Sequence, residues 1–156
     1  AFCESWKLDP SKTAMMTTAA NMDYAAVEQE SFRDIEVTAI VTGGVEGNAI
    51  HPGDPANWHE IDGTYEKVGD RSGPRNGTIN TMLFFSSPLS EAALARAVLT
   101  MCEAKSGALI EYGVASKFSQ HLATGTGTDQ YCIAAPLGSE RKITWTGQHT
   151  RIGEII

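Results

Sequence analysis

Residues 78–112 constrain this chain more than any other stretch. Thr78-Ile79-Asn80-Thr81-Met82-Leu83-Phe84-Phe85 is a β-branched and aromatic run halted by Ser86-Ser87-Pro88, and a run of that kind bounded by a turn signal reads as a strand. A helix pattern starts directly after it. Pro88 and Ser90 are initiation signals, Glu91 suits the positive end of a helix dipole, and Gly113 stands where a left-handed C-terminal residue is expected. From Leu94, steps of three and four pass Val98, Met101, Lys105, Ala108 and Tyr112, while a second flank carries Leu99, Glu103, Gly107 and Ile110. Both flanks are largely apolar. The pattern therefore predicts a long helix over about 90–112, buried on more than one side, on which Glu103 and Lys105 are unexpected charges.

The rest of the chain supplies further elements. Ile35 to Thr42 is β-branched almost throughout and stops at Gly43-Gly44, which reads as a second strand. Before it, the Thr, Met and Ala run from Lys12 to Ala20 reads as a strand. Asn21 or Asp23 would cap a helix to about Glu30, with Met22, Ala25, Ala26 and Val27 as its apolar face. The N-terminal part thus reads as strand, helix, strand. Gly47 to Asn76 is rich in Gly, Pro, Asp and Asn without sustained periodicity, and a loop of that length (about 47–76) is more often functional than accidental. The Thr/Gly loop Ala123 to Asp129 runs into a strand at Gln130 to Ala135, and Arg141 to Trp145 offers one more. There is no internal repeat. At 156 residues and 42% hydrophobic content, the chain supports one core. The expectation is a single α/β (α+β) domain with a mixed β-sheet.

Charge narrows the partners. Twelve Lys and Arg against 19 Asp and Glu leave a formal charge of −7, which disfavours phosphate backbones and anionic lipid surfaces, so neither nucleic acid nor membrane is expected as a partner. The longest apolar run, Met82 to Phe85, is far short of a membrane span. Cys3, Cys102 and Cys132 form no CxxC and no zinc spacing with histidines, and a reduced, cytoplasmic location is the simplest inference. The start at Ala1, with neither an initiator Met nor a signal-peptide pattern, suggests a trimmed chain.

Thr124-Gly125-Thr126-Gly127-Thr128-Asp129 is the most conspicuous string with chemical potential. A Walker loop would need a Lys after the last Gly and a helix behind it, and a dinucleotide fingerprint fails because Gln130 holds the third glycine position. The string does offer backbone amides beside three hydroxyls and a carboxylate, suited to oxyanion stabilisation and nucleophilic attack; the plainer alternative is a tight turn capped by Thr hydroxyls. Glu103 and Lys105 lie about 200° apart on a helix and need separate partners. Buried, each would shift towards the state in which carboxyl and amine exchange protons near neutral pH; a structural ion pair is the alternative. The loop from Gly47 holds His51, Asp54, His59, Glu60 and Asp62, but none is at HExxH or DxDxDG spacing, so a solvated loop is favoured over a metal site. His149 stands alone.

Several strings together resemble the adenosylcobinamide amidohydrolase family. They are Met15 to Met22 (MMTTAANM), Val41 to Ala49 (VTGGVEGNA), Gly77-Thr78-Ile79-Asn80-Thr81, Glu103-Ala104-Lys105, Ala123 to Asp129 (ATGTGTD), and Gly147-Gln148-His149-Thr150 with Gly153-Glu154. They follow the family's order from about residue 12, and the family's usual N-terminal portion has no counterpart. After Asn48-Ala49 the sequence has Ile50-His51-Pro52 before Gly53-Asp54, where the family pattern leads one to expect a Gly and an Arg. The resemblance implies hydrolysis of the amide joining the aminopropanol arm of adenosylcobinamide to the corrin ring, giving adenosylcobyric acid in cobamide salvage. The corrinoid is then the substrate, and no cofactor or metal is expected. Candidate catalytic residues are Glu103 or Asp129 as base, Lys105 as the acid protonating the amine, and Thr126 or Thr128 as nucleophile or water-positioning hydroxyl. The Gly125 and Gly127 backbone would donate to the oxyanion, and Asn48, Thr78, Asn80 and His149 would hold the substrate's amides. A non-catalytic corrinoid-binding module and a metal-assisted amidohydrolase of another substrate are the rivals, and the oligomeric state is left open.

Overall fold

The computed structural model describes residues 2–69, 77–138 and 140–156. Its centre is a four-stranded sheet built from β1 (Ala26–Phe32), β2 (Ile35–Gly43), β5 (Ile79–Phe85) and β6 (Gln130–Ala134), in the order β1-β2-β5-β6. β2 is antiparallel to both neighbours, and β5 and β6 are parallel, so the sheet is mixed. The parallel pair requires a crossover, which is the helix α2 (Glu91–Glu111). Short helical turns α1 (Phe2–Ser5) and α3 (Arg151–Glu154) lie near the two ends of the chain, and a small separate hairpin pairs β3 (Trp58–Ile61) with β4 (Thr64–Lys67).

The β5 and α2 pattern forms as its residues dictate. Ser90 accepts a hydrogen bond from Ala93 N at 3.1 Å and caps the helix, and Gly113 takes φ +65° just beyond its end. Alternate residues of β5 turn Leu83 and Phe85 towards α2, where they meet Val37 of β2, Ala97 and Met101 of the helix, and Ile152 of α3. Ala93 and Thr100, also buried, meet the C-terminal segment instead: Thr146 Oγ1 donates to Ala93 O at 2.7 Å and Thr100 Oγ1 donates to Thr146 O at 2.9 Å. The helix is not buried on two sides, however. Leu99 is 52% and Tyr112 85% exposed, because the four-stranded sheet covers one face of the helix and, among the described residues, no second sheet of that size covers the other.

The N-terminal expectation is overturned. Residues 13–20 pair with no strand; they form an irregular strap after a 3-10 turn at Pro10–Lys12. Asn21 does cap, through Asp23 N at 3.0 Å, but it caps only the short turn Met22–Tyr24. The segment read as the body of a helix is β1, hydrogen-bonded along the whole of β2 and reversed at Arg33, which has φ +58°. A helix there would have had no surface for its apolar face, whereas β2 offered an open edge. The long loop from Gly47 is interrupted by the β3–β4 hairpin, and its end at 70–76 lies outside the described residues. Arg141 to Trp145 contributes only a single bridge, Ile143 to Leu89.

Core and cap should differ in weight. Leu83→Ala, at a side chain with 1% exposure, should cost about 2–5 kcal/mol, and Ser90→Ala about 1 kcal/mol. Urea unfolding of the two variants beside the wild type checks both, with little change in slope expected.

Candidate active site

Because β5 and β6 are parallel, both begin at the same end of the sheet, and the antiparallel β2 finishes there. Three connecting segments therefore converge: Gly44 to Asn48 after β2, Gly77-Thr78 before β5, and Thr124 to Asp129 before β6. Gly44 N donates to Thr78 O at 2.9 Å and joins the first two. Gly77 sits where a Cβ would fall 2.4 Å from Gly44 O and 2.6 Å from Asn48 Oδ1, with φ +148°, so no other residue allows this approach. Ile50 pairs with the third segment through Ile50 N to Gly125 O at 2.8 Å and Thr124 N to Ile50 O at 3.0 Å.

Asp129 organises the cluster. Its Oδ2 accepts from Lys105 Nζ at 2.5 Å, and its Oδ1 accepts from the Thr126 hydroxyl at 2.5 Å and from Ile79 N at 3.0 Å. Thr126 N donates to the same carboxylate. Burial raises this carboxyl, but the Lys105 hydrogen bond, the Thr126 hydroxyl, the Lys105 charge and the Ile79 amide outweigh it and hold the group below the ordinary aspartate range. Asp129 is thus a charged anchor at neutral pH. Gly125 makes room for it, since a Cβ there would lie 2.4 Å from Asp129 Oδ2 and 2.9 Å from Lys105 Nζ.

The threonines divide by exposure. Thr126 is 3% exposed and faces inward to Asp129. Thr128 is exposed, and its Oγ1 lies 3.3 Å from Thr126 Oγ1, 3.1 Å from Gly77 O and 3.4 Å from Asn48 Nδ2. The Thr126 proton is given to Asp129, so Thr126 Oγ1 faces Thr128 as an acceptor. The Thr128 hydroxyl then has two acceptors for its proton and a donor on its oxygen. Thr128 also lines an open cleft of about 360 Å³ whose other walls include Thr17, Thr18, Gly77, Thr78 and Gln130.

The candidates drawn from the sequence therefore separate. Lys105, Thr126, Thr128, Asp129, Gly125, Gly127, Asn48 and Thr78 come together. Asn48 and Thr78 serve the loop itself, the former through Gly77 O at 2.7 Å and the latter through Thr128 O at 2.8 Å. Asn80, two residues beyond Thr78 and the second residue of β5, donates from Nδ2 to Thr17 O at 2.9 Å. Glu103 and His149 stand apart from the cluster: Glu103 accepts from Gln148 Nε2 at 2.8 Å, and His149 rests against Trp145, ring centres 5.9 Å apart. Their distance from Lys105 is what the half-turn offset on α2 imposes. Gln130 and Thr17 were not singled out as site residues, since nothing in a strand residue or a Thr-rich run marks a cleft wall.

Of the acidic and histidine residues of the long loop, His51 and Asp54 lie together, while His59 and Glu60 are on β3. Asp54 binds Ser116 Oγ at 2.6 Å and His51 N at 2.8 Å, His51 stacks on His121 at 4.7 Å, and His59 lies on β3. Burial raises the Asp54 carboxyl, but the Ser116, His51 and Ser119 hydrogen bonds and the His51 charge bring it down to about 2. Among the described residues no three metal-ligating side chains gather.

Comparison with known proteins decides the family. The family model described as adenosylcobinamide amidohydrolase matches residues 1–156. The chain belongs to the adenosylcobinamide amidohydrolase family. It is 40% identical over 148 residues to an uncharacterized protein of Methanocaldococcus jannaschii, covering 92% of this chain and 57% of that one. It is 29% identical over 149 residues to the adenosylcobinamide amidohydrolase of Methanosarcina mazei, covering 90% of this chain and 58% of that one. The chain thus spans little more than half the length of these curated relatives. No solved structure matches it. Among the described residues no helix is long and apolar enough to cross a membrane.

Gly125→Ala should destabilise the fold by about 1–3 kcal/mol by driving Asp129 and Lys105 apart. The acid branch of stability should carry the signature of both depressed carboxyls. Each contributes stability that is complete above its unfolded value and lost as pH falls through its folded one. For Asp54 that window runs from the ordinary 3.8 down to about 2. Asp54→Asn and Asp129→Asn should each flatten the fall in stability below pH 4 or so, as measured by urea unfolding across an acid pH series.

Proposed function

We propose that this chain is the catalytic core of an amide hydrolase that cleaves the aminopropanol amide of adenosylcobinamide, giving adenosylcobyric acid and the free amine, a reaction of cobamide salvage. Family membership supports the substrate class. The observation that carries the chemistry is the position of Thr128: its hydroxyl is exposed on the cleft wall, while the inner side of its loop is locked to the Lys105–Asp129 pair.

Thr128 Oγ1 attacks the amide carbon, and its proton passes to Thr126 Oγ1 as the Thr126 proton moves to Asp129. The N–H groups of Gly127 and Thr128, which make no hydrogen bond among the described residues, serve in this reading as the donors to the developing oxyanion. Lys105 protonates the departing amine and recovers a proton from Asp129. Water then hydrolyses the threonine ester by the same route in reverse. The lowered Asp129 value keeps the carboxylate ready to receive that proton only transiently, and this holds the resting cluster in its charged form.

Thr128→Ala should lower turnover of adenosylcobinamide at least about a thousandfold, with Thr128→Ser retaining part of it, and Lys105→Ala should lower it at least about a hundredfold. Product formation by chromatography, with urea unfolding as the check on folding, tests both. Wild-type turnover in either folded Ala variant would overturn these roles, and tight corrinoid binding without product in the wild type would leave a binding module.

A further inference from the structure

Directly behind the cleft, on the sheet face turned away from α2, three polar side chains share one cross-strand row: Thr42 on β2, Asn80 on β5 and Gln130 on β6. Thr42 is 5% and Asn80 6% exposed. Thr42 Oγ1 and Asn80 Oδ1 are buried and, among the described residues, have no hydrogen-bond partner. Leaving two such atoms unmatched side by side is costly, and each calls for an explanation. The other half of the Asn80 amide is matched: Nδ2 donates to the backbone carbonyl of Thr17 at 2.9 Å, in the irregular strap over residues 13–20.

That pairing identifies what the row is shaped for. A peptide carbonyl satisfies the Asn80 donor, but the trans peptide at Thr17 carries no N–H on the same edge to satisfy Oδ1. A primary carboxamide carries both. Its C=O accepts from Asn80 Nδ2, its syn N–H donates to Asn80 Oδ1, and its second N–H is left for the Thr42 hydroxyl oxygen. We infer that Asn80 and Thr42 form a seat for a primary carboxamide of the substrate, with the Thr17 carbonyl as its internal stand-in, displaced when the strap lifts. Among the described residues Asn80 makes the strap's one side-chain hydrogen bond to the sheet, so exchanging it for a ligand amide leaves the number of bonds to Asn80 Nδ2 unchanged and adds the two now unmade. Thr17 and Gln130 line the cleft that holds Thr128, which places the seat beside the reacting group. This deepens the proposed function, on which it rests for the identity of the ligand: a corrinoid is fringed with primary carboxamides, and this seat would hold one of them while another bond is cut.

Equilibrium binding of cobinamide, followed by its visible absorption and without reference to turnover, tests the seat. Thr42→Val removes the hydroxyl at constant shape. It should leave thermal stability unchanged or raised, because an unmatched buried hydroxyl is lost, yet weaken binding about five- to tenfold. Thr42→Ser should restore it, and Thr38→Val, on the same face beside Phe84 and away from the row, should bind as the wild type does. Unchanged affinity in Thr42→Val, or no cobinamide binding by the wild type, overturns the seat. Binding that weakens in Thr42→Val while the wild type forms no product upholds the seat and overturns the hydrolytic reading, so the two stand or fall separately.

Discussion

The ion pair between Lys105 and Asp129 ties together parts of the chain that otherwise have no reason to meet. Lys105 comes from the C-terminal half of α2, and Asp129 from the loop before β6. Through the Ile79 amide and the Thr126 hydroxyl, the same carboxylate also holds the start of β5 and the loop's own turn. Both side chains are largely withdrawn from water, so each would be expensive to leave alone, and removal of one partner from such a pair is far more damaging than the pair is stabilising. Its role is to make the loop geometry unique. Gly125 and Gly77 belong to the same constraint, because they let backbones and charges approach to distances that any Cβ would block.

From that constraint the division of labour between the two threonines follows. A carboxylate already supplied with four donors cannot also collect protons at rest, so its influence reaches the cleft through Thr126, whose single proton it takes. Thr128 is then the hydroxyl with two acceptors for its proton, the Asn48 amide as donor to its oxygen, and an open cleft beside it. The residues around it, Asn48 and Thr78, hold the loop in place, and the remaining cleft walls come from residues 17–19 of the strap and Gln130 of β6.

Legibility of the sequence varied with the range of the forces involved. The strand from Ile79 and the helix from Glu91 were readable because local signals agree: β-branched spacing, a Ser cap and a Gly at the exit. The segment Ala26–Phe32 was misread because its local composition suits a helix almost as well, and only pairing with β2 decides for a strand. Likewise, a helix with apolar residues on two flanks looks doubly buried, but Leu99 and Tyr112 remain exposed because one sheet covers one face. Of the site, the ATGTGTD string and Lys105 were identifiable as chemistry from residue type. Glu103 and His149 were not separable from them until the helix was placed, since one turn direction sends Lys105 to the loop and Glu103 to Gln148.

By itself, then, the sequence determined a mixed sheet with one long capped helix, an acidic chain of formal charge −7, and the set of hydroxyl, amide and charged groups gathered in the Thr/Gly loop and on the helix. Those follow from local preferences and from composition, which act over a few residues or on the chain as a whole. The tertiary structure alone decided that Lys105 meets Asp129 rather than Glu103, that Thr128 faces the cleft while Thr126 faces inward, and that Thr42 and Asn80 lie side by side beneath residues 13–20. These arrangements depend on strand pairing: the antiparallel pairing of β2 with β5 sets Thr42 beside Asn80, and the parallel pairing of β5 with β6 brings the loops before both strands to one end of the sheet.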